Sequence, residues 1–443
     1  MSTASTAVAR TVRHLPDATA GVVLATVLVY LLPFRLVVPP LSVLGRPGII
    51  VCLGLMLWWT LTRLHPGLVT RDRQPMRWAL AGYLAALGAS YLAGHARGLP
   101  ELEANSADRT LLMALAGAGM LLACADGIRT RDGIDQVLRW LCWVGTAMAL
   151  IALSQFALRV DVTNHLQLPP VLRFHQELVG LAARGTGLVR VAGTAGHFIE
   201  FSVLMVLGLI VSIHYARFSE NRRDRQVYAV LALVQAGVIP LALSRTGLLA
   251  LASAVLLLAL VWPLRTTVNV LIAGIALAAL IQVLRPGLLA TLRALVLAGD
   301  RDPSVQGRLE DYDYLMPFIR ERPWFGRGVG TFVPELYRIL DNQWLMSLVT
   351  TGIVGVAGLA ALLLTGVALA NRVRRLASRA RDRDLAAVLA VGIGVAAISA
   401  VAFDALYFST YLVTLHLMLG LAGALWRVTR ADRNDRGGPL AAP

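Results

Sequence analysis

The sequence predicts an all-α polytopic membrane protein of about twelve transmembrane helices, with one large external loop between the ninth and tenth. Three observations predict it. Of 443 residues, 57% are hydrophobic and 15% charged, at a mean hydropathy of +0.67, whereas soluble domains carry about 25% charged residues. Apolar runs of spanning length, about 20 residues, recur from end to end. Short arginine-rich segments separate them, the richest all falling on one side.

The spans are expected near 19–39, 47–63, 77–94, 110–125, 137–158, 197–216, 227–243, 247–264, 267–284, 342–370, 385–403 and 409–427. The first follows "MSTASTAVARTVRHLPD", which offers no small-residue cleavage site after a short apolar core, so it is expected to be a retained helix. The segments "RLHPGLVTRDRQPMR", "GIRTRDGIDQVLR", "RFSENRRDR" and "NRVRRLASRARDRD" share one side with both termini, and the positive-inside rule makes that side cytoplasmic. The chain then divides into spans one to nine (1–284, with an external loop at 159–195), a large external loop with short helices (285–341), spans ten to twelve (342–427) and a polar cytoplasmic tail (428–443).

Every one of the 41 basic residues is arginine. Any anion is therefore held by planar guanidinium forks, suited to bidentate phosphate or carboxylate contacts. The formal charge of +15 is spread over short loops between apolar helices, which speaks against nucleic acid as a partner and for a lipid bilayer. Cys52, Cys124 and Cys142 all fall inside apolar runs and read as small hydrophobes, with no disulfide or zinc spacing. No metal and no cofactor is expected.

The topology leaves 17 arginines outside, four of them in loop 159–195 and eight in loop 285–341, where eight carboxylates accompany them. Solvated arginines paired with acids account for many. Arg245 is different: in "PLALSRTGLLAL" it stands between two apolar segments. An intramembrane arginine costs about 2.5–3.5 kcal/mol on insertion scales and faces a cavity, a partner or a ligand. Arg35, near the outer end of the first span, reads as snorkelling.

"ERPWFGRGVGTF" (321–332) places glycines at alternate positions, Gly326, Gly328 and Gly330. No strand precedes it and no strand–helix crossover surrounds it, so a nucleotide cradle is excluded. The glycines are expected to shape a turn through which an external loop approaches something closely. Together with "RGTGLVRVAGTAGHFIEFS" (184–202), "SRTGLLAL" (244–251), "GRLEDYDYLMPFIRERPWFGRGVGTF" (307–332) and "DNQWLMSLVTTGIVG" (341–355), this stretch resembles the O-antigen ligase and polymerase family, bacterial membrane glycosyltransferases that use polyprenyl diphosphate-linked glycans. The resemblance covers roughly residues 180–360 by motif and the whole chain by topology. One position departs: Asp341 stands where the family's ligases carry histidine.

The resemblance implies a GT-C-like fold in the bacterial inner membrane, with a metal-independent, inverting active site at the external face. A donor glycan on polyprenyl diphosphate would pass to an acceptor hydroxyl of a glycan or glycolipid. Arg184, Arg190, Arg245, Arg308 and Arg327 would hold the diphosphate, because preorganised donors aimed at developing charge are often the largest catalytic contribution. Arg245 and Arg308 would act on the leaving group, and Asp341 would be the base. The alternative for Asp341 is the N-cap of the tenth helix. His197 and Glu200, three apart on one helix face, could hydrogen-bond each other. With Asn342 they are candidates for the acceptor side or a second base. Asp404 and Tyr407, in "FDALYFST", are candidates for the acceptor side or a turn with interfacial aromatics. Ligase and polymerase are not separated by these residues. A flippase of lipid-linked oligosaccharides is the alternative from another class; it predicts inverted repeats, broken helices and charges near the midplane.

Overall fold

The computed structural model describes residues 17–64, 73–166, 169–175, 182–184, 188–297 and 303–435. The extreme N-terminus, part of the loop "RLHPGLVTRDRQPMR" and residues 436–443 lie outside the described residues. Among the described residues fourteen α-helices run in order: α1 (Thr19–Leu31), α2 (Pro47–Leu64), α3 (Pro75–Ala96), α4 (Glu101–Leu122, extended by a π turn to Gly127), α5 (Arg131–Leu158), α6 (Phe198–Phe218), α7 (Arg222–Val238), α8 (Arg245–Ala259), α9 (Leu264–Leu284), α10 (Leu288–Leu297), α11 (Pro303–Glu321), α12 (Gln343–Leu376), α13 (Ala380–Ser399) and α14 (Ser409–Asp435). Two small antiparallel pairs decorate them: β1 (Leu36–Val37) with β2 (Arg173–Phe174), and β3 (Ala182–Arg184) with β4 (Leu188–Arg190).

The architecture is all-α, and each apolar stretch read from the sequence contains a helix. Among the described residues, eight helices have the length and apolarity to cross a membrane: α2, α4, α5, α6, α7, α9, α12 and α14. The difference from twelve has a physical cause. Helices α1 and α8 are apolar but only 13 and 15 residues long. Helix α3 is diluted by small and polar residues, and α13 opens on the charged run Ala-Arg-Asp-Arg-Asp. The last helix runs to Asp435, so the expected tail begins as helix.

Helices α6 and α14 form the centre, with 83% of each spanning window buried, while none of the α9 window is. Local chemistry sets several starts. Ser244 caps α8 by accepting from the Gly247 amide at 3.2 Å, and Thr130 caps α5 by accepting from the Gly133 amide at 3.0 Å. One end of the bundle is laced by ion pairs: Asp126 with Arg63 and Arg77, each 2.7 Å, Arg131 with Asp382 at 2.8 Å, and Arg217 with Asp384 at 2.6 Å. These are the segments that the positive-inside pattern puts together.

At the opposite end α12 is broken. Gly352 has φ 66° and ψ −169°, a conformation that interrupts the i→i−4 ladder. The glycine-rich segment takes up the freed groups. The amides of Arg327 and Gly328 donate to the carbonyls of Val349 and Thr350, both at 3.0 Å. In return the amides of Ile353 and Val354 donate to the carbonyls of Pro323 (2.8 Å) and Trp324 (3.1 Å). A Cβ at Gly326 would fall 2.4 Å from the Thr350 carbonyl, and one at Gly352 2.4 Å from that of Trp324. Backbone lies directly on backbone, and only glycine permits it.

Candidate active site

A cavity of about 500 Å³ opens at the end of the bundle that carries the broken helix. Its walls come from α3, α4, α12, α14, the glycine-rich segment and the turn between α13 and α14. Asp341, His197, Asp404 and Tyr407 all line it, beside apolar groups such as Met113, Phe403 and Leu412. A mostly apolar lining, the throat of the cavity, with a few polar groups is the usual composition of a small-molecule site.

The start of α12 organises this end. Asn342, not Asp341, is the N-cap: its Oδ1 accepts from the Leu345 amide at 3.1 Å. The capping account of Asp341 is thereby displaced by one residue, leaving Asp341 just outside the helix on the cavity wall. Gln343 fastens the neighbouring turn. Its amide donates to the carbonyls of Ala400 (2.8 Å) and Phe403 (3.0 Å), and its Oε1 accepts from the Leu406 amide at 2.8 Å. Two carboxylates 63 positions apart, Asp341 and Asp404, are thus brought to one cavity. Burial pushes the Asp404 carboxyl up to about 7, and the charges of Asp341 and Glu200 push the same way. Near neutrality a substantial share of the Asp404 carboxyls therefore keep their proton.

His197 caps α6, its Nδ1 accepting from the Ile199 amide at 3.3 Å. That bond assigns the proton of the neutral ring to Nε2. Burial, with the Arg190 charge beside it, lowers its pKa to about 4, so at pH 7 His197 is a neutral N–H donor. Glu200 is fully buried at 0% exposure, does not line the cavity and does not hydrogen-bond His197. It accepts from the amides of Gly196 at 2.9 Å and Tyr411 at 3.0 Å, and so acts on the turn that carries Asp404 and Tyr407.

The arginines divide. Arg190 ends β4 and lies 4.4 Å over the Phe198 ring, directly behind His197. Arg245 is the first residue of α8, half-buried, and the turn Ile239–Ala242 leading to it packs against β4. These two segments approach each other around the start of α6. Arg327 is held elsewhere: its Nη2 donates to Tyr337 Oη at 2.6 Å and lies 4.0 Å from Glu103, which also binds Arg97. That network closes the glycine-rich segment onto α3 and α4. Arg308 lies on α11 and Arg184 on β3, and both side chains fall outside the described residues. Arg35 bonds Asp161 (3.1 Å) and Asn164 (2.6 Å), which ties the first external turn to the 159–195 loop.

Two residues carry more of this end than their sequence context suggests. Gln343 looks like any polar residue at a helix start. Arg46, 8% exposed, stacks 3.4 Å over Phe34 and donates to Ser409 Oγ at 3.0 Å, while its Nε is buried without a partner. "LGRPGII" reads as an ordinary arginine before a helix; its place between two apolar runs was the available signal.

Residues 228–360 match the family model described as O-antigen ligase. The matched segment holds Arg245, Arg308, the glycine-rich stretch, Asp341 and the break in α12. No curated protein matches the chain.

Proposed function

We propose, from the premise that residues 228–360 belong to the O-antigen ligase family, that this multi-pass membrane protein moves a glycan from polyprenyl diphosphate to an acceptor hydroxyl. It works at the outer face of the bacterial inner membrane. Twelve spans, with α1, α3, α8 and α13 completing the eight that are both long and apolar enough, keep both termini cytoplasmic. The arginine-rich connections then lie at the end opposite the cavity.

The observation that carries this reading is the sharing of one mostly apolar cavity by Asp341 and Asp404. Asp341 takes the proton of the acceptor hydroxyl as its oxygen bonds to the anomeric carbon. The bond from that carbon to the diphosphate oxygen breaks, with inversion, and polyprenyl diphosphate leaves. Arg190 and Arg245, with Arg308 and Arg184, hold the departing charge; each charge-assisted bond contributes roughly 1.5–3 kcal/mol. Asp404, protonated, and His197 through Nε2–H orient the acceptor. The apolar throat takes the first isoprene units.

Membrane transport of the same lipid is the competing function, and broken helices are one of its marks. The break at Gly352 is filled by the main chain of the glycine-rich segment, which engages the carbonyls of Val349 and Thr350 and the amides of Ile353 and Val354. Purified protein incubated with a lipid-linked oligosaccharide separates the two. Free polyprenyl diphosphate should appear, persist in EDTA, and fall away with Arg245→Ala. Transbilayer movement of intact donor would instead favour transport.

A further inference from the structure

We propose a second ligand site, for the anionic phosphate headgroup of a membrane phospholipid, at the end of the bundle opposite the candidate active site. Helix α6 runs from its cap His197 to Phe218, about 30 Å away at 1.5 Å per residue. There a cavity of about 610 Å³ is bounded by the end of α6, the α8–α9 turn, the end of α12 and the start of α13. Arg217, Arg374, Arg375 and Arg383 line it.

One carboxylate faces these four guanidinium groups, and it is already engaged. Asp384 lies 2.6 Å from Arg217 and 2.6 Å from His214. The guanidinium groups of Arg374, Arg375 and Arg383 have no hydrogen bond or ion pair among the described residues. Two donors of a different kind point the same way. Trp262, 7% exposed, lines the cavity with its indole Nε1–H buried and without a partner. Helix α13 begins against the cavity at Ala380, and its N-cap Arg379 supplies no side-chain cap, so first-turn amides and the positive end of the dipole face the same space. Excess guanidinium charge, an orphaned N–H and an uncapped helix start converge on one anion.

The surroundings select a lipid over a soluble phosphate. Trp262 and Pro263 lead into α9, an apolar helix none of whose spanning window is buried. Acyl chains laid along α9 place a headgroup at this depth. Basic cavities between helices on the cytoplasmic side suit anionic headgroups.

The test uses the full-length protein in neutral detergent, with phosphatidylglycerol, phosphatidylcholine and inorganic pyrophosphate as separate probes, read by native mass spectrometry. Phosphatidylglycerol should be retained in preference to phosphatidylcholine. Arg374→Gln, Arg375→Gln and Arg383→Gln combined should weaken it about a hundredfold, roughly fivefold per arginine. A charge-matched control, Arg222→Gln with Arg223→Gln and Arg225→Gln, should keep it. Trp262→Phe, which leaves every charge in place, should cost about fivefold, one neutral hydrogen bond, and serves if the triple variant does not fold. Equal retention of the two lipids, equal loss in the control, or competition by pyrophosphate at the lipid's own concentration overturns the proposal.

Discussion

The main-chain amide of Tyr411 donates to Glu200 at 3.0 Å, across 211 positions of sequence. The Gly196 amide occupies the other oxygen at 2.9 Å, so one carboxylate fastens the start of α14 to the start of α6. Glutamine has only one carbonyl oxygen and must abandon one of the two amides. Glu200→Gln should cost about 1–3 kcal/mol, the penalty of a buried group left unpaired. Thermal denaturation in detergent checks this, and an unchanged Tm would remove Glu200 from the frame of the site.

Because Asn342 supplies the cap, the roles of Asp341 and its neighbour are separable. Asp341→Asn should lower turnover about a hundred- to ten-thousand-fold, the usual worth of a positioned base, with Tm unchanged. Asn342→Ala should lower stability by about 1 kcal/mol while each folded molecule still turns over. Full activity in Asp341→Asn would send the search for the base to another residue.

Stability should depend on pH through Asp404. Its pKa is about 7 when folded, against the ordinary 3.8. A raised carboxyl contributes stability that is whole below 3.8 and lost as pH rises through 7. His197, lowered to about 4 from 6.5, works in the opposite sense, its contribution lost as pH falls through 4. The two windows overlap and partly mask each other in the wild type. Asp404→Asn removes only the first, so its Tm relative to wild type should climb between pH 4 and pH 8. Parallel curves would mean that Asp404 titrates normally.

Gly326 and Gly352 each have a positive φ, 67° and 66°, and each lies against main chain of the other's segment. Alanine at either position should destabilise by about 2 kcal/mol or more, combining backbone strain with overlap. Gly82→Ala, where nothing lies within 4 Å, should instead gain up to about 1 kcal/mol from helix propensity. Unfolding midpoints of the three variants check the contrast.

The helices were legible because each must present a long apolar surface, and length and hydropathy are properties of a contiguous stretch. Asp341 was legible for a similar reason, standing at the edge of an apolar run. What escaped depends on contacts between distant segments. Glu103, 224 positions from Arg327, gives that arginine a structural partner. Gln343 draws Asp404 to Asp341 through amides that carry no side-chain signature. The cap fell one residue later than expected because Asp341 and Asn342 are both good caps, and only the helix axis chooses between them.

The seam between the glycine-rich segment and the broken α12 is made of main chain on both sides. Atoms common to all residues fix the mouth of the cavity there, and side chains fill in the rest. Substitutions at wall positions such as Met113, Met346 or Leu412 can therefore retune which substrate group the cavity admits while the doorway keeps its dimensions. A library confined to those positions should change substrate range without loss of fold.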